Sequence, residues 1–130
     1  MQAQSGERKR ATFGAHCRLR RGQDFDRLFQ EAQSIAGRTM VLRALPTRAD
    51  RSRCGVIASK RTFRRAVDRN RAKRCLREAF RLEREIFPIP CDVVLVARKR
   101  ILDHTMDAIR KDFCTLVLQI QKSLTGEHRI

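Results

Sequence analysis

The sequence predicts an α+β fold, a small mixed β-sheet packed with three helices in the order α-β-β-α-β-α. Three observations predict it. Apolar residues recur at helical spacing in three stretches, short β-branched runs lie between them, and Pro88 and Pro90 part the longest helix from the most apolar run. At 130 residues and 42% hydrophobic, the chain fits one domain with a modest core.

Residues 1–16 read as a flexible basic arm with Gly6, Gly14 and few apolar anchors beyond Phe13. Residues 17–124 read as a single domain and 125–130 as a tail. Residues 23–31 place Phe25, Leu28 and Phe29 at i, i+3 and i+4, the mark of a short amphipathic helix. Periodicity leaves Phe25 and Phe29 two places, the core, which it favours, or the flank of a groove where bases stack.

Gly37 breaks the chain, and residues 38–45 form a strand centred on Met40, Val41 and Leu42. The polar stretch 46–52 reads as a hairpin loop, and 53–59, with Val56 and Ile57, as a second strand. A basic connector over 60–67 leads to Asp68, the expected N-cap of a helix beginning at Arg69. That helix stops near Phe87, ahead of the prolines. Residues 91–97 are almost continuously apolar, as in a central strand covered on both faces. Finally, Met106, Ile109, Phe113, Leu116, Val117 and Ile120 define a last helix, capped by Asp103.

Charge points to the partner. Of the 30 basic residues, 24 are arginine and 13 lie between Arg51 and Arg84, where three acids (Asp68, Glu78, Glu83) oppose them. About 100° per residue puts Arg69, Lys73, Arg74, Arg77, Arg81 and Arg84 in one arc of the helix, with Asn70 among them. Ala72, Cys75, Leu76, Ala79, Leu82 and Ile86 fall largely opposite, and Phe80 lies at the boundary. A solvated charged face is the ordinary reading of such an arc, but ordinary faces alternate sign at i, i+4. From Arg69 to Arg81 the cations meet Glu78 alone. Such self-repulsion is tolerable where a polyanion binds, and arginine's planar fork suits phosphate, so the domain is expected to bind RNA. Arg61, Arg64 and Arg65, just before the helix, extend the surface toward its N-terminus.

Other chemistry finds little support. His16, His104 and His128 are scattered, and no carboxylate cluster or phosphate-cradling glycine loop is present. Cys17, Cys54, Cys75, Cys91 and Cys114 lack the spacing of a zinc module and read as reduced, largely buried cysteines. No apolar stretch nears the roughly 20 residues of a membrane span, and residues 1–17 lack a signal-peptide core. A cytoplasmic location without membrane contact is expected. A structural ribosomal protein, or another RNA-binding protein with no enzymatic part, fits the same charge pattern. A DNA-binding regulator would need a helix-turn-helix pair, yet strand-like residues flank the basic helix. A stand-alone enzyme fits least.

Residues 53–81, RCGVIASKRTFRRAVDRNRAKRCLREAFR, closely resemble the signature of the bacterial ribonuclease P protein component, above all the Arg-Asn-Arg-x-Lys-Arg-x-x-Arg-Glu pattern at 69–78. Residues 19–29 (LRRGQDFDRLF) are similar to that family's first helix, and 92–99 (DVVLVARK) to its strand after the basic helix. The likeness runs over roughly residues 13–122. It implies a fold like the second domain of ribosomal protein S5, with a left-handed βαβ crossover against the usual rule. It implies a protein subunit of an endoribonuclease that removes the 5′ leader of precursor tRNA. A large catalytic RNA does the chemistry with Mg²⁺ bound mainly by that RNA. No catalytic residue, no metal site within the protein alone and no obligate protein partner are expected.

Carried onto this chain, Arg69, Asn70, Arg71, Lys73, Arg74 and Arg77 would contact the ribonuclease P RNA, with Arg61, Arg64, Arg65 and Arg81 extending the surface. Phe25, Phe29, Met40 and Lys60 would line a cleft for the single-stranded leader. Arg43 joins them as a departure, because some members carry an aromatic there. A guanidinium can stack on a base or bind phosphate instead.

Overall fold

The apolar run at 91–97 organises the molecule, because burial on both faces forces it to the middle of a sheet. The computed structural model describes Arg18 and residues 22–125, apart from the side chains of Gln23, Lys122, Ser123 and Thr125. The arm expected over 1–16 and tail residues 126–130 lie outside the described residues. Helix α1 (Gly22–Glu31) is followed by strands β1 (Ser34–Ala36), β2 (Met40–Pro46) and β3 (Arg53–Ile57). Helix α2 (Ala66–Glu83) tightens into a 3-10 turn (Arg84–Ile86) before strand β4 (Cys91–Ala97). A second 3-10 turn (Lys99–Asp103) leads to helix α3 (Met106–Thr125). The expected three-helix, mixed-sheet architecture holds, with one strand more than expected.

The sheet order is β1-β2-β4-β3, with β2 antiparallel to both β1 and β4 and β3 parallel to β4. The stretch 46–52 is therefore not a hairpin loop. β4 inserts between β2 and β3, and the loop spans it. The true hairpin is β1–β2, turned at residues 37–39. There Asp112 of α3 accepts from Thr39 N at 2.8 Å and Thr39 Oγ1 at 2.6 Å. A Cβ on Gly37 would lie 2.5 Å from that carboxylate, so glycine permits the approach. The β3–α2–β4 unit is the crossover for which the resemblance implies a left hand. Arg18 makes a parallel bridge to Cys54 on the outer edge of β3.

Alternate residues of each strand face opposite layers. Met40, Leu42, Ala44, Cys54, Cys91, Val93, Leu95 and Ala97 face α2 and α3 and form the main core with Leu76, Phe80, Ile109, Phe113 and Val117. Phe113 meets the edges of Phe80 and Phe87, with ring centroids 6.5 and 5.9 Å away. Phe80 thus leaves the helix boundary for the core. The other face carries α1, where Leu28, Ala32 and Val94 are buried together.

Two caps differ from expectation. α2 begins at Ala66 with Arg65 at the cap position, so Asp68 sits in the first turn, where a carboxylate favours the helix dipole. α3 is capped by Thr105, whose Oγ1 accepts from Ala108 N at 3.1 Å, and not by Asp103, which closes the preceding 3-10 turn. Cys54 and Cys91 are buried, Cys75 and Cys114 half-buried, and all four are free thiols. Burial pushes the Cys91 thiol up to about 12 and Cys114 to about 11, which keeps both unreactive. Cys17 lies outside the described residues. Among the described residues no helix is long and apolar enough to cross a membrane.

Candidate nucleic-acid interface

Helix α2 buries Ala72, Leu76, Ala79 and Phe80, a stripe at i, i+4, i+7 and i+8 that seats it on the sheet. The opposite face is left to cations. Asn70, Arg71 and Arg74 are exposed, while Lys73 and Arg77 are half-buried along their stems. The described carboxylates make no ion pair with Arg71, Lys73, Arg74 or Arg77.

Two expected contacts have another occupation. Arg69 donates from Nη1 to the carbonyls of Phe63 and Arg64 at 3.0 and 3.1 Å, pinning the preceding loop to the helix. Arg81 grips Glu78 with two bonds of 2.8 and 2.5 Å. Arg81 holds the Glu78 carboxyl below the usual carboxylate range, and the same bond raises the Arg81 guanidinium. Arg84 leaves the basic face altogether. It lies in the 3-10 turn, where the 3.6-residue period no longer applies, and is buried, whereas Leu82 is exposed.

The loop ahead of α2 is held by Phe63, buried at its centre, by Phe63 N donating to Ser59 O, and by Thr62 N donating to Ser59 Oγ. This displays Lys60, Arg61, Arg64 and Arg65 to solvent. Arg65 reaches Asp68 loosely, at 3.8 Å. Because β3 and β4 are parallel, this loop and the segment after β4 leave the same end of the sheet. Lys99 joins Arg61, Arg64 and Arg65 around one recess there.

On the α1 face, register lines up side chains in rows across all four strands. One row runs Ser34, Arg43, Val94 and Gly55, with Leu28 of α1 and Ala32 just after it packed on Val94. The row toward the loop end runs Ala36, Val41, Val96 and Ile57, and each of these stays partly exposed. It is an apolar lane beside the helix. The tip of the Phe25 ring comes so close to β3 that a Cβ on Gly55 would lie 2.3 Å from its Cζ. Phe29 is 42% exposed, and the Arg43 guanidinium lies 4.8 Å from its ring centre. Arg43 also donates to Ala32 O at 3.2 Å, at the C-terminal end of α1.

The structure therefore brings Phe25, Phe29 and Arg43 together, and puts Lys60 beyond the end of the same strand as Ile57. It does not bring Met40 to them. Met40 is fully buried on the opposite face among α2 and α3, one residue out of phase with the lane, and Val41 takes the place expected of it. Sequence reasoning also missed Gly55, Val96 and Ile57 as parts of this surface. Two-residue alternation hid them, because both faces of β4 are apolar. Among the described residues no three His, Cys, Asp or Glu side chains converge to hold a metal ion.

On the far side of α1, a third row sets Leu45, Asp92 and Arg53 side by side. Asp92 is 1% exposed and takes two bonds from Arg53, both 2.8 Å. That bond raises the Arg53 guanidinium against the opposing effect of burial. Arg27 of α1 lies 3.7 Å from the same carboxylate and donates to Pro46 O at 3.2 Å.

The family model described as Ribonuclease P matches residues 13–121. The ribonuclease P protein component of Pelotomaculum thermopropionicum is 35% identical over 99 residues, 76% of this chain and 88% of that one. That of Coxiella burnetii is 34% identical over 115 residues, 85% of this chain and 94% of that one. Among solved structures, the Staphylococcus aureus RNase P protein is 29% identical with a TM-score of 0.68, covering 83% of this chain and 97% of that one. The Thermotoga maritima RNase P protein is 28% identical with a TM-score of 0.69, covering 79% and 96%. The chain belongs to the ribonuclease P protein component family, whose members are subunits of an endoribonuclease that processes tRNA.

Proposed function

We propose that this protein binds the catalytic RNA of ribonuclease P through the open face of α2 and holds the 5′ leader of precursor tRNA in the lane beside α1. It thereby assists Mg²⁺-dependent removal of that leader in the cytoplasm. One observation carries the reading: Arg71, Lys73, Arg74 and Arg77 project from a rigid helix with no carboxylate paired to them among the described residues. Cations held this way lower the repulsion between two polyanions, the RNA catalyst and its substrate, at little cost in reorganisation. In the lane, Phe25 and Phe29 offer faces on which unpaired bases stack, and Arg43, Lys60 and Arg61 take phosphates. Sequence-tolerant stacking suits a leader that varies between precursors.

In this reading Mg²⁺ is held mainly by the RNA. The chain contributes binding and alignment, with bond breaking left to its partner.

The test is cleavage of precursor tRNA at low Mg²⁺ by purified protein with and without its cognate RNA. Cleavage is expected only with both. Reversing Arg71, Lys73 and Arg74 to glutamate should abolish assembly while circular dichroism stays unchanged, because none of the three packs in the core. Wild-type RNA binding should weaken with salt along a log–log slope of about −4 to −5, for about six phosphates neutralised. Full activity of the reversed protein would reject the assignment.

A further inference from the structure

The thin side of the sheet raises the question of what fixes α1 in place. Its buried apolar anchor, Leu28 on Val94, lies along its underside, with Ala32 buried beside them just past its C-terminal end. Apolar contact of this kind is non-directional, so it resists lifting of the helix better than rolling. Direction comes from two arginines. Arg43 bonds the carbonyls near the helix C-terminus, and Arg27 reaches down the flank to Pro46 O and Asp92.

We propose that Asp92 and Arg27 form a clamp that fixes the roll of α1 and so sets the width of the lane between Phe25 and Phe29 and the row Ala36, Val41, Val96 and Ile57. The inference rests on the leader-binding reading above and names the residues that regulate its geometry. Asp92 is suited to the task because it cannot move. It is buried on the central strand, and Arg53 of β3 holds both its oxygens. Buried ion pairs of this sort add little to stability relative to apolar packing, so a positional role accounts for it better than a stabilising one. Arg27 and Phe29 are about 200° apart around the helix, so a roll that frees Arg27 swings the Phe29 ring across the lane. Glu31 lies 3.8 Å from Arg27 on the exposed flank and steadies the same side chain. Neither Asp92 nor Arg27 touches the substrate in this scheme. They are positioning residues.

The experiment uses the assembled holoenzyme and precursor tRNAs with either a long leader or a leader of one nucleotide. Arg27→Gln should raise KM for the long-leader substrate five- to tenfold, with kcat within twofold and KM for the short-leader substrate unchanged. Arg48→Gln removes an equal charge from the rim of the recess that Arg27, Arg53 and Asp92 also line, without touching the clamp, and should behave as wild type. Arg27→Lys, which keeps the charge and one of the two contacts, should recover part of the loss. In the free protein, the ring proton resonances of Phe25 and Phe29 should shift in Arg27→Gln and stay put in Arg48→Gln. Equal losses in the two glutamine variants would show a charge effect and overturn the clamp, as would unmoved ring resonances. A wild-type holoenzyme indifferent to leader length would instead sink the leader reading, and the clamp with it.

Discussion

On the face covered by α2 and α3 the sheet buries Met40, Leu42, Val93 and Leu95 beneath Leu76, Phe80, Ile109 and Phe113. On the face crossed by α1, the fully buried cluster among the described residues is Leu28, Ala32 and Val94. The thick side has interdigitated aromatic and aliphatic side chains and few polar intrusions. The thin side mixes a little apolar packing with arginine bonds to carbonyls and to Asp92. Cooperative stability should therefore reside on one face and an adjustable binding surface on the other, as expected where ligand-contacting elements come from the less stable part of a fold.

Truncations on the two faces test this most strongly. Phe113→Ala removes the ring between Phe80 and Phe87 and should cost about 3–5 kcal/mol, a large share of the stability of a domain this size. Urea unfolding followed by any probe should shift as one transition. Leu28→Ala should cost about 2–3 kcal/mol, at the low end for a buried leucine because a single helix on this face can settle into the gap. Its signature should be loss of amide protection confined to α1, with β4 and α3 still protected in native-state hydrogen exchange. Global loss of protection in Leu28→Ala would erase the distinction between the faces.

The same asymmetry governs what could be read in advance. α2 was legible because a basic arc and an apolar stripe share one 3.6-residue period, and β4 because a β-branched run bounded by prolines has few alternatives. Neither pattern names a pairing partner, so the insertion of β4 between β2 and β3 stayed hidden and residues 46–52 looked like a hairpin loop. β1, at three residues, carries no period at all. Met40, Val41 and Leu42 are all apolar, so alternation could not decide which of them faces the lane, and Met40 was assigned to the wrong side. Arg84 was misplaced because the helix tightens just before it. Asp103 and Thr105 both have capping chemistry, and only the backbone path chooses Thr105. The open cations on α2, by contrast, are legible in the sequence, since the nearby acids Asp68, Glu78 and Glu83 are too few to pair them.

Gly55 separates stability from shape more finely. An alanine Cβ there would meet the tip of the Phe25 ring at 2.3 Å, but that ring can swing away toward the lane. Gly55→Ala also lowers the entropy of the unfolded chain, worth about 0.4–1 kcal/mol in favour of the fold. The two effects should nearly cancel, leaving the unfolding free energy from urea titration within about 1 kcal/mol of wild type. Leader affinity should nonetheless fall severalfold, measured as the difference in Kd between long- and short-leader precursors. A substantial loss of stability with unchanged leader discrimination would mean that Phe25 is a core residue and no part of the lane.

The smallest effect is expected at the far end of α2, where the pair Glu78–Arg81 stands beside the unpaired run. Glu78 has its folded-state pKa lowered by Arg81, so its contribution exists above the ordinary carboxylate range and disappears as pH falls through the folded value. Both side chains are partly exposed, and an i, i+3 pair in that setting is worth at most about 0.5 kcal/mol. Glu78→Gln should therefore lower the urea midpoint slightly at pH 7, and the difference should fade as pH falls through the folded-state value, where the wild-type carboxyl also becomes neutral. The substitution removes the carboxylate that neutralises the Arg81 guanidinium. If RNA reaches that turn of the helix, the salt dependence of assembly should steepen by about 0.7–0.9, the increment for one added phosphate contact. An unchanged slope would place the edge of the RNA footprint before Arg81, leaving Arg77 as its last contact on the helix.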